Sequence, residues 1–403
     1  VDVQGYRDLL AESERIYDVG FKQLADQPFH RLPSMLGCLP AMIRLGSRRT
    51  VWQLVCRYLK NDKLRQAFSV QPLLVGGDPF STTCIYSLIH FLERAHGVHF
   101  AMGGTGALVD GFEKVMRKAG IDIRLGTTVS AIETAQGRVT GVRLEDGRTL
   151  PADIVVSNAD PAFLYAKMID PREVNVSARV KTKLARKSMG LYVLFFGTEG
   201  TYDDVAHHTI WLGSRYRALL DDIFRKKILA EDFSLYLHRP TATDPSFAPP
   251  GHDSFYALVP VPNLSGAVDW SIEGARLRDR IVEALDGTIL PGLKARIRAD
   301  FFMTPEDFQT QYLSPAGAGF SIAPHFLQSA WFRFHNQAEG PKNLFLVGAG
   351  THPGAGLPGV LSSAKVLDRL VPHASHEPKA PDVPATADAP RTAGGEVHLA
   401  AGG

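Results

Sequence analysis

The chain has 403 residues, 45% of them apolar and 21% charged, with a formal net charge of +2. A chain of this length holds two or three domains around a large core, and so small a charge gives no reason to expect a nucleic-acid partner. Cys38, Cys56 and Cys84 are far apart with no CxxC pair, so they read as reduced structural thiols, and no metal site is expected. The sequence starts at Val1; neither a secretory leader nor an apolar run long enough to span a bilayer is expected.

Residues 1–97 read as helical, with an apolar pattern opening at Leu9, Leu10, Ile16 and Tyr17. The segment 35–60 mixes Ile43, Trp52, Val55 and Leu59 with Arg44, Arg48, Arg49 and Arg57. That mixture suits a helix lying on a membrane or a packed helix pair with a solvated basic edge. Gly76-Gly77-Asp78-Pro79 is a turn, and Ser81 or Thr82 can cap a following helix over 85–94. His90, His96 and His99 lack the i, i+4 spacing of a helical metal pair.

Gly103-Gly104-Thr105 opens a helix with Leu108, Phe112, Val115 and Met116 on one face, ended by Gly120. Alternation of Ile121, Ile123 and Leu125 predicts a strand, and a second runs over 129–132. Segments 138–144 and 149–150 should pair around Asp146-Gly147. A buried strand over 153–157 follows and leads into Asn158-Ala159-Asp160-Pro161. By order alone this is a generic α/β unit. Three aromatic-rich strand-like runs, 191–196, 233–238 and 255–261, and a helix over 271–285 predict a mixed sheet with covering helices and one face on an apolar pocket.

Residues 343–370 carry the densest signal. An apolar run, Leu344 to Val347, reads as a buried strand. Gly348, Gly350, Gly354, Gly356 and Gly359 follow within twelve residues, letting backbone lie close to something flat or charged. Val360, Ala364 and Leu367 then recur at helical spacing until Pro372. The choice is between a ligand cradle and a Gly-Pro surface loop. The literal GxGxxG of Gly354, Gly356 and Gly359 is not a pyrophosphate fingerprint, because it does not start at the strand end and no second strand follows. From 377 onward Ala, Pro, Gly and Thr dominate, so 373–403 reads as a disordered tail.

The run GAGTHPGAGLPGV at 348–360 resembles the C-terminal flavin-contact motif of the bacterial and fungal-type phytoene desaturases, FAD-dependent carotenoid desaturases of the amine-oxidase-like group. Segments 64–94, 103–112, 229–238 and 328–336 resemble that family in the same order, so the likeness covers about 2–370. The resemblance implies an α/β fold: a two-part, Rossmann-like FAD-binding domain without its N-terminal βαβ unit, a mixed-sheet substrate domain and a helical membrane-associated subdomain. The division implied is 1–97 for the helical lid, 98–161 for the inner FAD part, 162–335 for substrate, 336–372 for the C-terminal FAD part, and 373–403 for the tail.

For FAD the resemblance implies contacts from Gly348, Gly350, Thr351, Gly359 and Val360 toward the isoalloxazine, with Asn158 and Val129 nearer the adenosine. Catalytic residues are unassigned; Glu231, Asp232 and His352 are each as readily structural. The activity implied is desaturation of phytoene toward lycopene at the cytoplasmic face of a membrane, with carotene and lipid surface as partners and the oligomeric state open. A related oxidoreductase on another carotene, or a carotene-binding remnant without flavin, are the alternatives. The family opens with a strand–GxGxxG–helix unit for the ADP pyrophosphate, and this chain has none. It is therefore expected to be truncated at the N-terminus, to hold FAD poorly alone, and to be inactive until that unit is restored.

Overall fold

Leu9, Ile16, Leu54, Val55 and Leu59 are buried together without measurable exposure, giving residues 2–97 a helical core of their own. In the computed structural model, which describes residues 2–372, this region holds α1 (Asp2–Tyr17), α2 (Leu32–Arg44), α3 (Val51–Tyr58), α4 (Asp62–Ala67) and α5 (Leu88–His96). A capping box fixes the start of α3: Thr50 Oγ1 accepts from Gln53 N–H, and Gln53 Oε1 accepts from Thr50 N–H. The expected cap at Ser81 or Thr82 is displaced to Thr83, which opens a tight turn over Cys84–Ser87 before α5.

The chain then forms α6 (Gly104–Lys118), β1 (Val129–Ala135), β2 (Arg138–Leu144), β3 (Thr149–Pro151) and β4 (Val155–Ser157). β1, β2 and β3 make a small antiparallel sheet, with Gly147 at φ +86° in the expected hairpin turn. The strand predicted over 121–125 does not form. Ile121 and Leu125 are exposed, and no neighbouring strand among the described residues supplies the ladder a strand needs. For the same reason α6 keeps its predicted apolar stripe in solvent: Val109 is 62% exposed and Val115 66%.

Three short helices follow: α7 (Pro161–Phe163), α8 (Val176–Leu184) and α9 (Tyr216–Asp221). The main sheet comprises β5 (Gly190–Glu199), β6 (His208–Trp211), β7 (Leu235–His238), β8 (His252–Val261) and β9 (Ile297–Met303) in the order β6-β7-β8-β5-β9, with neighbouring strands antiparallel. Alternate residues of β8, from Asp253 to Val261, are buried, the period-two pattern of a strand with one face on a core. That face meets Leu277, Ile281 and Leu285 of α10 (Trp270–Asp286). Burial of such side chains contributes on the order of 2 kcal/mol each. The opposite face, with Tyr256 and Leu258, packs on α9 through Leu219 and Leu220.

The chain continues through α11 (Leu293–Arg296) and α12 (Pro305–Gln311) to β10 (Leu344–Leu346) and α13 (Leu357–Leu367). β10 pairs in parallel with β4 as a two-stranded sheet. Residues 1–370 cluster as one unit. The predicted tail, 373–403, lies outside the described residues.

Candidate active site

In the β4–β10 pair Leu344 stands beside Val155 and Leu346 beside Ser157, so both strands end on the same side. Open parallel sheets take ligands at that edge. β10 leaves into the glycine loop and β4 into Asn158–Asp160. At Gly348 (φ +98°) an added Cβ would come within 2.2 Å of Asn158 Oδ1. At Gly350 it would lie 2.3 Å from Pro161 Cδ and 2.9 Å from Ser321 Oγ. The glycine backbone of one strand exit lies against the Asn158 and Pro161 side chains of the other, and only glycine permits it.

Hydrogen bonds hold the loop stiff. Gly348 N–H donates to Ser363 Oγ at 2.9 Å, which ties the loop to α13. Thr351 Oγ1 donates back to Gly348 C=O at 2.9 Å. Asn336 Nδ2 donates to the carbonyls of Leu346 and His352 at 3.2 and 3.1 Å. Arg333 is 1% exposed and meets carbonyls, not a carboxylate. Its guanidinium donates to Thr351 O at 2.8 Å, Ala349 O at 2.6 Å and Gln328 O at 3.2 Å. Burial pulls its pKa below the usual value, yet an arginine stays charged over any working pH, so a cation lies beneath the loop. His352 is linked through Nε2 to Leu24 O at 2.9 Å, and burial lowers its pKa to about 4. It is therefore neutral, and Nε2 donates.

The far half of the loop, from His352 to Gly359, walls one end of an apolar cavity of about 510 Å³. Phe21, Leu24, Phe29, Met42, Leu45, Ile89 and Leu92 of the helical region form much of its lining, and Phe326, Ser329 and Ala330 close another side. Its carboxylate is Glu93, whose pKa burial raises.

The residues suit a flat, partly charged ring system. Glycine at 348 and 350 lets the loop backbone pack directly on Asn158, Pro161 and Ser321. Lys187 Nζ is buried without a hydrogen-bond partner and feels the charge of Asp160, whose Oδ2 accepts from Ser321 Oγ at 2.5 Å. Gly356 caps α13, and Val360 N–H bonds to Gly356 O at 2.9 Å. The amide of Val360 is thus spent inside the helix. Gly359 N–H remains a first-turn donor.

Asn158, Gly348, Gly350 and Thr351 are brought together at the strand exits, and Gly359 lines the cavity. Thr351 is buried with its hydroxyl engaged by Gly348 and Asn336, so it braces the loop. Val129 lies apart, on the β1–β3 sheet and paired with Leu144. Arg333, Asn336 and Ser363 were missed as loop supports. The first two lie in the segment 328–336 that carried the resemblance, and their burial is what gives them the role.

A profile of the flavin containing amine oxidoreductases matches residues 4–366. A lycopene-forming phytoene desaturase of Pseudescherichia vulneris is 47% identical over 373 residues, covering 92% of this chain and 75% of the relative. A neurosporene-forming phytoene desaturase of Rhodobacter capsulatus is 44% identical over 392 residues, covering 96% and 74%. Among solved structures, an oxidoreductase from Methanosarcina mazei aligns with TM-score 0.57 at 17% identity, covering 82% of this chain and 71% of that one. Cyclohexylamine oxidase from Brevibacterium oxydans aligns with TM-score 0.53 at 14% identity, covering 91% and 75%. At those identities the likeness is one of fold. The cofactor of such a flavoprotein is FAD, consistent with the cradle. The chain belongs to the phytoene desaturase family within the flavin-containing amine oxidoreductases.

Proposed function

We propose that the chain, once FAD is held in full against its glycine loop, desaturates phytoene, converting C–C to C=C along the polyene toward lycopene. The observation that carries this reading is the apolar cavity ending on residues 352–359. It brings a hydrocarbon to the edge of the cofactor cradle. FAD, when bound, supplies the hydride acceptor.

The protein's part is positioning and shielding. Gly348 and Gly350 let the loop pack closely on Asn158 and Pro161, Arg333 fixes the loop, and Lys187 offers a buried amine. Leu24, Phe29, Met42 and Ile89 hold the carotene chain and exclude water. Glu93 is the carboxylate on the lining, and its raised pKa suits it to accept the proton lost with the hydride.

Phytoene is lipid-soluble, so the cavity needs a lipid-facing entrance. α2 fits that task. Leu32, Leu36, Leu39 and Ile43 form one exposed stripe, at 49, 57, 39 and 67% exposure, with Arg31, Arg44 and Arg48 beside it. Met42 and Leu45 of the same segment line the cavity. No described helix is long and apolar enough to cross a membrane; the exposed apolar stripe of α2 is what supports a peripheral contact, at the cytoplasmic face.

FAD also carries a pyrophosphate. Among the described residues no glycine turn joins a strand directly to a helix to hold it. The test joins a strand–GxGxxG–helix unit ahead of residue 1 and supplies FAD with phytoene in liposomes. Coloured polyenes from the extended chain and none from residues 1–403 alone are expected. Flavin binding without colour from phytoene, but with colour from another carotene, contradicts the assignment of substrate.

A further inference from the structure

His207, His208 and His238 meet at the free edge of the main sheet, far along the chain from the glycine loop. His208 on β6 stands directly opposite His238 on β7, and His207 precedes β6 by one residue. The rings are close: centroids are 4.3 Å apart for His207 and His208, 4.7 Å for His207 and His238. One ring nitrogen from each lies within 4.8 Å of the others.

Hydroxyl groups orient all three rings. His207 Nδ1 is 2.5 Å from Thr243 Oγ1. His208 Nδ1 and His238 Nδ1 both meet Tyr236 Oη, at 2.6 and 3.0 Å. A tyrosine oxygen has two lone pairs, so it accepts both N–H groups while its own proton points elsewhere. Burial pushes the Tyr236 pKa up, which keeps that hydroxyl neutral. With every Nδ1 engaged as a donor, Nε2 is the free nitrogen of each ring. His207 Nε2 is buried with no partner at all.

This is the arrangement that ligating histidines adopt: one nitrogen fixed by an oxygen, the other presented to an ion. The alternative, a packed aromatic cluster, leaves the buried Nε2 of His207 without a partner, and an unsatisfied buried polar atom is destabilising. We propose that His207, His208 and His238 form a three-imidazole site for a divalent transition-metal ion of the zinc class. Zinc at 2.0–2.1 Å from each nitrogen sets tetrahedral ligands roughly 3.4 Å apart. Three imidazoles leave a fourth position for water.

The ion would also fasten two parts of the fold. Phe100, in the segment before α6, packs on His207 and His238 at 4.6 and 5.8 Å. Gly103 N–H donates to Asp244 Oδ2 at 2.7 Å close by. Metal at this edge would lock the approach to α6 against the sheet.

The experiment titrates untagged, chelator-treated chain with Zn²⁺ and separately with Co²⁺, whose visible d–d absorption reports a tetrahedral nitrogen site. One equivalent of saturable binding is expected. His208→Ala removes a ligand at an exposed position and should weaken binding at least about tenfold. Tyr236→Phe removes the hydroxyl that orients two rings without removing a ligand, and should weaken it about tenfold. His208→Gln serves as a second variant, with circular dichroism confirming the fold. No saturable uptake of either ion, or uptake unchanged in both His208→Ala and Tyr236→Phe, overturns the proposal.

Discussion

At Gly350 a side chain has nowhere to go, because Pro161 and Ser321 occupy the space on the far side. Gly350→Val should cost about 1–3 kcal/mol by overpacking, read as a lower urea midpoint, with a matching loss of flavin binding. A midpoint equal to the parent's would mean the two strand exits are looser than described. Two buried histidines set a second expectation. His352 and His90 each have a pKa lowered from 6.5 to about 4 by burial. A depressed histidine pKa means the unfolded chain binds more protons between those values, so stability is present above about 6.5 and is lost as pH falls toward 4. The loss should reach on the order of 2 kcal/mol for each by about pH 5. Urea midpoints at neutral and acid pH check it, and His90→Leu should flatten the slope. These single-residue roles were only partly legible. The glycines announced themselves, since no other residue permits that backbone. The dependence of the loop on Arg333 and Asn336 was not, because a side chain's burial is decided by segments far away in sequence.

Among the elements, α2 and α3 divide a task that the sequence presents as one. Segment 35–60 reads as uniformly basic, apolar and aromatic. The structure buries Val51, Leu54, Val55 and Leu59 of the α3 segment and leaves Leu36 and Ile43 of α2 in solvent. α3 is core, so Leu59 is no part of a lipid surface. Periodicity identifies an apolar face but not what covers it. Co-sedimentation with anionic liposomes should separate the two helices: the parent chain pellets, and Leu36→Asp with Ile43→Asp stays in the supernatant. Unchanged pelleting of that variant would remove α2 from the contact. α13 shows the same gap. Its spacing points Val360, Ala364 and Leu367 inward, yet the buried positions are Ser362, Ser363 and Val366. The bond from Gly348 N–H to Ser363 Oγ turns the polar face toward the loop. By contrast, the strands at β5, β7 and β8 and the helix α10 were legible to within a few residues, because alternating or helical burial over a long run leaves little choice.

For the molecule as a whole, two features meet: a glycine-lined parallel strand pair and an apolar cavity built mostly by residues of the helical region. Sequence order placed the carotene pocket with the main sheet, between 162 and 335. An apolar cavity is lined by residues 19–99 and 352–359, with 326–330 closing it. Such a cavity forms between segments remote in sequence, so no local pattern marks it. On the proposed reading the glycine loop meets the ring end of a flavin, and among the described residues no glycine turn joins a strand directly to a helix to hold its phosphate end. That asymmetry is measurable. Fluorescence titration of residues 1–403 with riboflavin and with FAD tests it directly, with Gly350→Val alongside. The account predicts saturable riboflavin binding, FAD affinity within about tenfold of it (about 1.4 kcal/mol), and loss of both in Gly350→Val. Tight FAD binding with no riboflavin binding, or titrations unaffected by Gly350→Val, would contradict it.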